Sequence, residues 1–566
     1  MFSILEKFVN KRSQRISSAA LTVAFFGLVS RFFGLWRDRL MAGHFGASRT
    51  LDVYYAAFRI PDLVYNLLIV GAVSSAFLPV FYEFLTKDKN EAWRFAANAL
   101  NVMIFALVIF SAVLMLFAPQ LMFLVAPGFD GASRDLAVGI SRILFLSPLL
   151  LGISALASAL LQAFSRFLIT SLAPVFYNLG IIFGVIVLAP RYGIWGLAYG
   201  VILGAALHLL IQIPSLINIG FRFRSLLNFK EIGLFKVVKL WLPRTMALFA
   251  LQINSVVSTA IASVLASGSI AIFNFADNLR WAPIGIVGVA FSTAAFPAMS
   301  LAYAQGKKEL FLKRFSLAVR QALFIVVPLS LAFFVLRSQI VEIILNTGNF
   351  SLQDARLTAA ALGIFAFGIF AASLLPLFTR AFFVFHNTKT PVFINIFSML
   401  INIILSFLFV GAIVKLPFLG QKLSDIMNIS DIGGAAILGL PLAITVASVI
   451  NLAWHWFDLK KHVGDFGISE IKKSFFRVLA ASAVAVVFIY AGLYIFSRVF
   501  NAETGLGLLF QTLCAGLAGG VVYLSAAFAL GMEEILMLKI PATLLNWRGI
   551  KNPEPEPIGA SIDDQY

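Results

Sequence analysis

The feature that most constrains this chain is a succession of apolar stretches without charge, repeated along nearly its whole length. Ala99 to Leu116 and Leu479 to Phe496 are examples, and each approaches the ~20 residues that cross a ~30 Å hydrocarbon layer as a helix. Of the 566 residues, 60% are hydrophobic and only 12% charged, and the mean hydropathy is +0.94. Soluble globular proteins stand nearer about 45–50% apolar. The chain therefore reads as an all-α polytopic membrane protein. Soluble enzyme, nucleic-acid binder and disordered scaffold are excluded as the main reading.

The formal net charge of +17 would point to nucleic acid in a soluble chain. Here most Lys and Arg fall in short loops between the apolar stretches. There they orient the chain and attract anionic headgroups of membrane lipids, so no nucleic-acid partner is expected. Cys514 stands alone inside an apolar stretch, which leaves neither a disulfide framework nor a thiolate cluster. His208, His386 and His455 sit on different spans, and His44 and His462 in loops, without paired ligand spacing. No metal and no cofactor are expected. Nor does any nucleophile–His–acid set or Gly-rich phosphate loop stand out, so the chain does not read as an enzyme. Lys7, Lys11, Arg12 and Arg15 precede a stretch that carries Arg31 and Arg37 and lacks a small-residue cleavage site. It reads as a retained first helix rather than a signal peptide.

Breaks at charged, Gly- and Pro-bearing positions divide the chain into about fourteen helices. They fall near 17–42, 52–84, 91–118, 132–164, 167–189, 194–219, 234–266, 268–303, 311–338, 353–386, 389–414, 432–458, 472–499 and 505–532. An even number returns both termini to one side. That side carries the larger share of loop cations, among them Lys87, Lys89, Arg222, Arg224, Lys307 and Lys308, and so should be cytoplasmic. The polar segment Arg222 to Lys239 separates six front helices from the rest. The division expected is 1–222 (helices 1–6), 223–464 (helices 7–12) and 465–532 (a further pair), a repeated-bundle plan familiar among transporters. In 533–566, Glu533 to Trp547 reads as an interfacial segment and the Pro-bearing Asn552 to Tyr566 as a disordered cytoplasmic tail.

Charged groups inside the spans are the unusual element. Each costs about 2.5–3.5 kcal/mol on insertion scales and is tolerated where it meets a partner or a wet cavity. On the first helix Arg31, Gly34 and Asp38 share a face at i, i+3 and i+7, with Arg37 beside Asp38. On the second, Arg59, Asp62 and Asn66 share a face, Asp52 stands at its start, and Pro61 predicts a kink or break. For Asp38, Arg39, Arg49 and Asp52, helix-locking ion pairs and cavity contacts are equal readings. Arg31 and Arg59, set deeper, read as cavity lining, because guanidinium matches phosphate oxygens bidentately. The eighth helix carries a polar stripe of Asn274, Asp277, Asn278 and Trp281, with Arg280 three residues after Asp277. An internal ion pair and a substrate contact are both open there. On the seventh helix Arg244 and Gln252 stand with Asn254, Ser255, Ser258 and Thr259, although isolated Ser and Thr commonly bond to their own helix.

Several of these residues belong to recognisable strings. Ser30-Arg31-Phe32-Phe33-Gly34 runs through Arg37-Asp38 to His44-Phe45-Gly46-Ala47 and Leu51-Asp52. Ala57-Phe58-Arg59-Ile60-Pro61-Asp62 and Ser75-Ala76-Phe77-Leu78-Pro79-Val80-Phe81 follow. Further on come Ala126-Pro127-Gly128-Phe129, Ala173-Pro174 with Asn178, Leu265-Ala266-Ser267-Gly268-Ser269, Gly348-Asn349-Phe350 and Arg380-Ala381-Phe382-Phe383. In order, over roughly residues 17 to 460, the chain resembles the MurJ (MviN) family of lipid II flippases, in the superfamily of multidrug, oligosaccharidyl-lipid and polysaccharide exporters. The resemblance implies two six-helix lobes around a central cationic cavity plus a C-terminal helix pair, in the bacterial inner membrane. It implies that lipid II, the undecaprenyl-pyrophosphate-linked glycopeptide of peptidoglycan synthesis, moves from inner to outer leaflet by alternating access. Arg31, Arg37, Asp38, Asp52 and Arg59 then contribute to the cationic cavity or its gate, with Arg280 and Asn278 as substrate contacts. Asp62, Asn66, Asp277, Arg244 and Gln252 become gate or support residues.

The chain also departs from that pattern. Tyr65 and Asn66 stand where many relatives have a basic pair, and Val70 where they have an acid. Asn278 takes the place of the usual eighth-helix Arg, with Arg280 two residues on. Ser258 and Ser406 occupy positions where some relatives carry acids for sodium, and two hydroxyls hold a hard cation poorly, so no tight sodium site is expected. The competing readings are a flippase for another polyprenyl-linked glycan, a drug or cation antiporter, a membrane glycosyltransferase and a non-transporting scaffold for cell-wall synthesis enzymes. An antiporter should bury carboxylates where this chain buries Arg. A glycosyltransferase should carry a large external domain, which the short loops leave no room for.

Overall fold

A computed structural model describes residues 16–70 and 76–538. Lys7, Lys11, Arg12, Arg15, Ser75 and the tail from residue 539 lie outside the described residues, as do the side chains of Val70 and Arg244. All regular structure among the described residues is helical. Helix occurs in each of the fourteen expected stretches, and among the described residues eleven helices are long and apolar enough to cross a membrane. Helix is the form that lets a chain satisfy its backbone groups in hydrocarbon. Packing divides the chain into two compact units, residues 1–272 with 344–354, and 273–343 with 355–566.

The first unit begins with α1 (Ile16–Phe45), α2 (Arg49–Val64), α3 (Leu78–Leu85), α4 (Lys89–Leu116) and α5 (Ala118–Val125). It continues through α6 (Gly131–Leu144), α7 (Leu146–Ala163), α8 (Phe167–Phe183), α9 (Ile194–Leu210), α10 (Ile213–Asn218) and α11 (Ile232–Ser263). Asp130 caps α6 by accepting from the Ser133 N–H at 2.7 Å, and those hydrogen bonds hold its carboxyl below the usual carboxylate range. The stretch expected as one helix over 132–164 breaks at Phe145. Pro148, lacking an N–H, cannot bond back to Leu144. Four residues beyond Pro61 the chain widens into a π-helical turn, Tyr65–Val70, a local adjustment that re-satisfies backbone groups freed by a membrane proline. A second wide turn, Gly184–Leu188, follows α8.

Glycine fixes how α8 and α9 meet. A Cβ at Gly204 would overlap the Tyr177 carbonyl, and one at Gly184 or Gly200 would run into the other's backbone. The two helices approach at backbone distance, as small residues permit in lipid. Gly411, by contrast, faces open space. Gly204→Ala should therefore cost about 1–3 kcal/mol by overpacking, whereas Gly411→Ala should gain up to ~1 kcal/mol of helix propensity. Melting temperatures of the two purified variants should move in opposite directions.

The second unit takes most of α12 (Ser269–Pro283), then α13 (Ala290–Ala304), α14 (Lys308–Val335), α15 (Arg337–Leu345), α16 (Leu352–Val384) and α17 (Lys389–Lys415). It closes with α18 (Pro417–Met427), α19 (Gly439–Val463), α20 (Ile468–Phe496) and α21 (Gly505–Ala529). A third π-helical turn, Ile284–Val289, follows Pro283 directly. α16 is buried along most of its length, and its Ala371, Phe378 and Phe382 join the core of this unit. The extra pair α20–α21 is held at Tyr523, whose hydroxyl donates to the Phe324 carbonyl at 2.6 Å. Glu534, expected in an interfacial segment, is instead buried: it accepts from Ser474 Oγ at 2.9 Å and lies 3.5 Å from Arg320.

Candidate functional site

In the first unit, α1, α2, α7, α8 and α9 enclose a cavity of about 370 Å³. Its polar lining includes Arg37, Tyr54, Tyr55, Asp62, Tyr177 and His208. Arg37 is held as a fork. Its Nε and Nη2 donate to Asp38 Oδ1 at 3.0 and 2.7 Å, and its Nη1 donates to Asn178 Oδ1 at 3.1 Å. Asn178 is itself held against its own helix, since its Nδ2 donates to Pro174 O, one turn back, at 3.1 Å. Asp62 follows Pro61, and Asn66 one turn on donates to its Oδ1 at 3.0 Å and to its carbonyl at 2.9 Å.

Arg31, Asp38, Asp52, Arg59, Asn66 and Gln252 are not among the residues that line this cavity. Arg59 Nε donates to Thr259 Oγ1 at 2.7 Å, tying α2 to α11. Arg31 is half-buried on α1, and Gln252 half-buried on α11. Asp38 is buried beneath Arg37. The sequence reading passed over Tyr54, Tyr55 and Tyr177, because mid-span aromatics look the same whether they fill a core or line a hollow. His208 carried a usable signal, a Gln four residues on at 212, one turn away on the same face.

Asp52 does something different from a cavity contact. Buried in full, it accepts from the Gly268 N–H at 2.7 Å and the Ala271 N–H at 2.9 Å, capping the start of α12. Around it, strings far apart in sequence converge. Asn349 donates from its backbone to Gly43 O and from its side chain to His44 O, both at 2.8 Å. The Gly128 N–H donates to Ser263 Oγ at 3.1 Å, and Arg49 stands over the Phe129 ring at 5.3 Å. The turns 43–52, 126–130, 263–271 and 344–354 thus form one joint at one end of the unit.

In the second unit, Arg280 Nε donates to Asp277 Oδ1 at 2.5 Å, and its guanidinium lies over the Phe365 ring at 4.2 Å. This is an internal ion pair with an aromatic seat. Asn274 and Asn278, on the same helix, are half-buried. Arginines arranged in forks against Asp, Asn and Thr can exchange those partners for phosphate oxygens of matching geometry. No covalent chemistry is needed for such an exchange.

Comparison with known proteins covers nearly the whole length. The profile of the family described as "Lipid II flippase MurJ" matches residues 41–514. A "Probable lipid II flippase MurJ" of Buchnera aphidicola subsp. Schizaphis graminum is 29% identical over 528 residues, covering 92% of this chain and 97% of the relative. A "Lipid II flippase MurJ" of Burkholderia cenocepacia is 29% identical over 452 residues, with 78% and 83% covered. Among solved structures, a lipid II flippase MurJ in an inward closed conformation aligns with TM-score 0.72 at 24% identity, covering 90% of this chain and 98% of that one. An inward-facing MATE transporter of the MOP superfamily aligns at TM-score 0.58 and 13% identity. These two structural likenesses speak to the fold.

Proposed function

This chain belongs to the lipid II flippase MurJ family, and on that premise we propose that it carries the lipid II headgroup across the membrane by alternating access. The observation that carries the reading is the family match over residues 41–514, within which the turns 43–52, 126–130, 263–271 and 344–354 meet at the joint around Asp52. The family is one of transporters rather than catalysts. Lipid II, with its membrane-embedded tail, is then the partner, and the inner membrane of a bacterium is its place. Both termini are cytoplasmic on the loop-charge argument, and the helices divide six, six and two.

In this mechanism the diphosphate is the handle. Arg31, Arg37 and Arg59 supply guanidinium for the headgroup from the first unit, and Arg280 and Asn278 are the substrate contacts read on the eighth helix. Asp38 and Asn178 hold Arg37 until an oxyanion replaces them. Asp62, Asn66, Asp277, Arg244 and Gln252 are the gate or support residues of this reading, and Asp52 caps the start of α12. The prenyl tail stays in lipid throughout. A membrane potential adds about 2.3 kcal/mol per charge per 100 mV, enough to favour outward movement of an anionic headgroup.

The test is genetic and chemical together. Depleting the protein in its host should trap the lipid-linked precursor in the inner leaflet. A variant carrying Arg31→Ala and Arg59→Ala should reach the membrane in normal amount yet fail to relieve the block. Relief by that variant would favour a scaffold, and precursor found in the outer leaflet after depletion would end the reading.

A further inference from the structure

We propose that the cavity of the first unit is a proton-binding site shared by Asp62 and His208, a property that goes beyond the transport reading and does not depend on the cargo. Among the described residues lining the cavity, these are the two whose charge changes within a few units of neutral. Every titratable or charged group facing them belongs to another class. From α1 comes Arg37, permanently charged and backed by Asp38. From α2 and the wide turn after it come Tyr54, Tyr55 and Tyr65, and from α8 Tyr177, phenols that keep their proton at neutral pH. Arg59, one turn earlier on α2, acts on Asp62 through its charge while its Nε donates to Thr259.

The hydrogen bonds suit proton binding rather than a static ion pair. Asp62 Oδ1 is taken by Asn66, while Oδ2 meets no protein donor among the described residues. Arg37 spends its fork on Asp38 and Asn178. A carboxylate this deep in a membrane protein is expensive unless it is paired, hydrated or able to take a proton. The cavity, at about 370 Å³, has room for the water that would bring one, at ~30 Å³ each.

His208 is built to exist in two states. Its Nδ1 lies 2.6 Å from Ser154 Oγ, and the same hydroxyl reaches the His208 carbonyl at 3.1 Å. Gln212, fully buried, donates to Ser154 Oγ at 2.6 Å and accepts from Ser158 Oγ at 2.8 Å. When Nδ1 carries hydrogen it donates to Ser154, the hydroxyl turns to the carbonyl, and Nε2 is left as the base. A proton arriving from cavity water binds there and gives an imidazolium with Nδ1 still satisfied. When Nδ1 is bare, Ser154 donates to it instead. Ser154 and Gln212 are positioning residues, and neither loses its partners in either state. Asp62 lies directly after Pro61 and three residues before the π-helical turn, so its charge acts at a break in the helix.

The experiment is infrared difference spectroscopy of the full chain in lipid nanodiscs, between about pH 3 and 8, which spans the ordinary ranges of both groups. Wild type should show a carboxyl band and imidazole bands that titrate. Asp62→Asn should lose that carboxyl band, and His208→Gln the imidazole change. Ser154→Ala, which keeps both titrating groups, should alter the imidazole bands and leave the carboxyl band in place. A difference spectrum unchanged in Asp62→Asn or in His208→Gln overturns the shared site. Because no cargo is present, the result stands or falls separately from the transport reading.

Discussion

Gly268→Ala should abolish most of the folded protein. Gly268 has φ of +88°, and a Cβ there would overlap the Ala47 carbonyl. The backbone penalty alone is roughly 1–2 kcal/mol for a left-handed residue, and overpacking adds about 1–3 kcal/mol. Any shift that relieves the overlap also pulls the Gly268 N–H from Asp52, which is buried and has no water to replace it. Hydrogen bonds to a charged group are worth about 1.5–3 kcal/mol each. The joint gathers four turns, so the loss should spread beyond one helix end. Thermal unfolding of the purified variant, read by tryptophan fluorescence, should show a far lower midpoint or no cooperative transition. Asp52→Asn, which keeps one acceptor oxygen, should fall between wild type and Gly268→Ala. A Gly268→Ala protein that melts like wild type would mean that the joint is not closed in this way.

Arg37→Ala should be the most damaging single change at the cavity, and more so than removing the whole pair. Asp38 is buried and has two guanidinium nitrogens on one oxygen. Taking away one partner of a buried pair typically costs 3–5 kcal/mol, roughly, because the other charge stays behind unmatched. The double variant Arg37→Ala, Asp38→Ala should recover much of that stability while still failing to move lipid II. Arg37→Lys keeps the charge but not the fork, so it cannot hold Asp38 and Asn178 together. It should fold and transport poorly. Comparing melting temperature with precursor movement in vesicles separates the two roles. Full transport by the double variant would remove Arg37 from the headgroup path.

The spans were legible from sequence because a bilayer imposes one length and one composition on every crossing, and α4 or α20 needs little else to be found. Sub-structure within a span was not. The break at Phe145 and the wide turns at 65–70, 184–188 and 284–289 leave hydropathy untouched, so only Pro148, Pro61 and Pro283 hinted at three of them. The arginines were legible as misplaced charge, but their partners on other helices were not. Arg37 finds Asn178 and Arg59 finds Thr259 across 141 and 200 positions of chain, distances at which local pattern carries no information. Arg280 was the exception, since an acid three residues earlier on a helix announces its own ion pair. Asp52 looked like a candidate for the wet chamber because a carboxylate beside Arg49 gives no sign that a helix start 216 residues away requires it.

The two wide turns that follow Pro61 and Pro283 lie in the second and eighth of the stretches expected to span. Each holds one residue more than an ordinary coil of the same height, so everything after it is phased about 100° from where a uniform helix would put it. Such a surplus residue can be handed along the coil, one bond re-formed for each bond released, and the segment it crosses turns like a screw without baring its backbone to lipid. Two spans equipped in the same way supply twin swivels, through which a chain of stiff rods can reorient without melting.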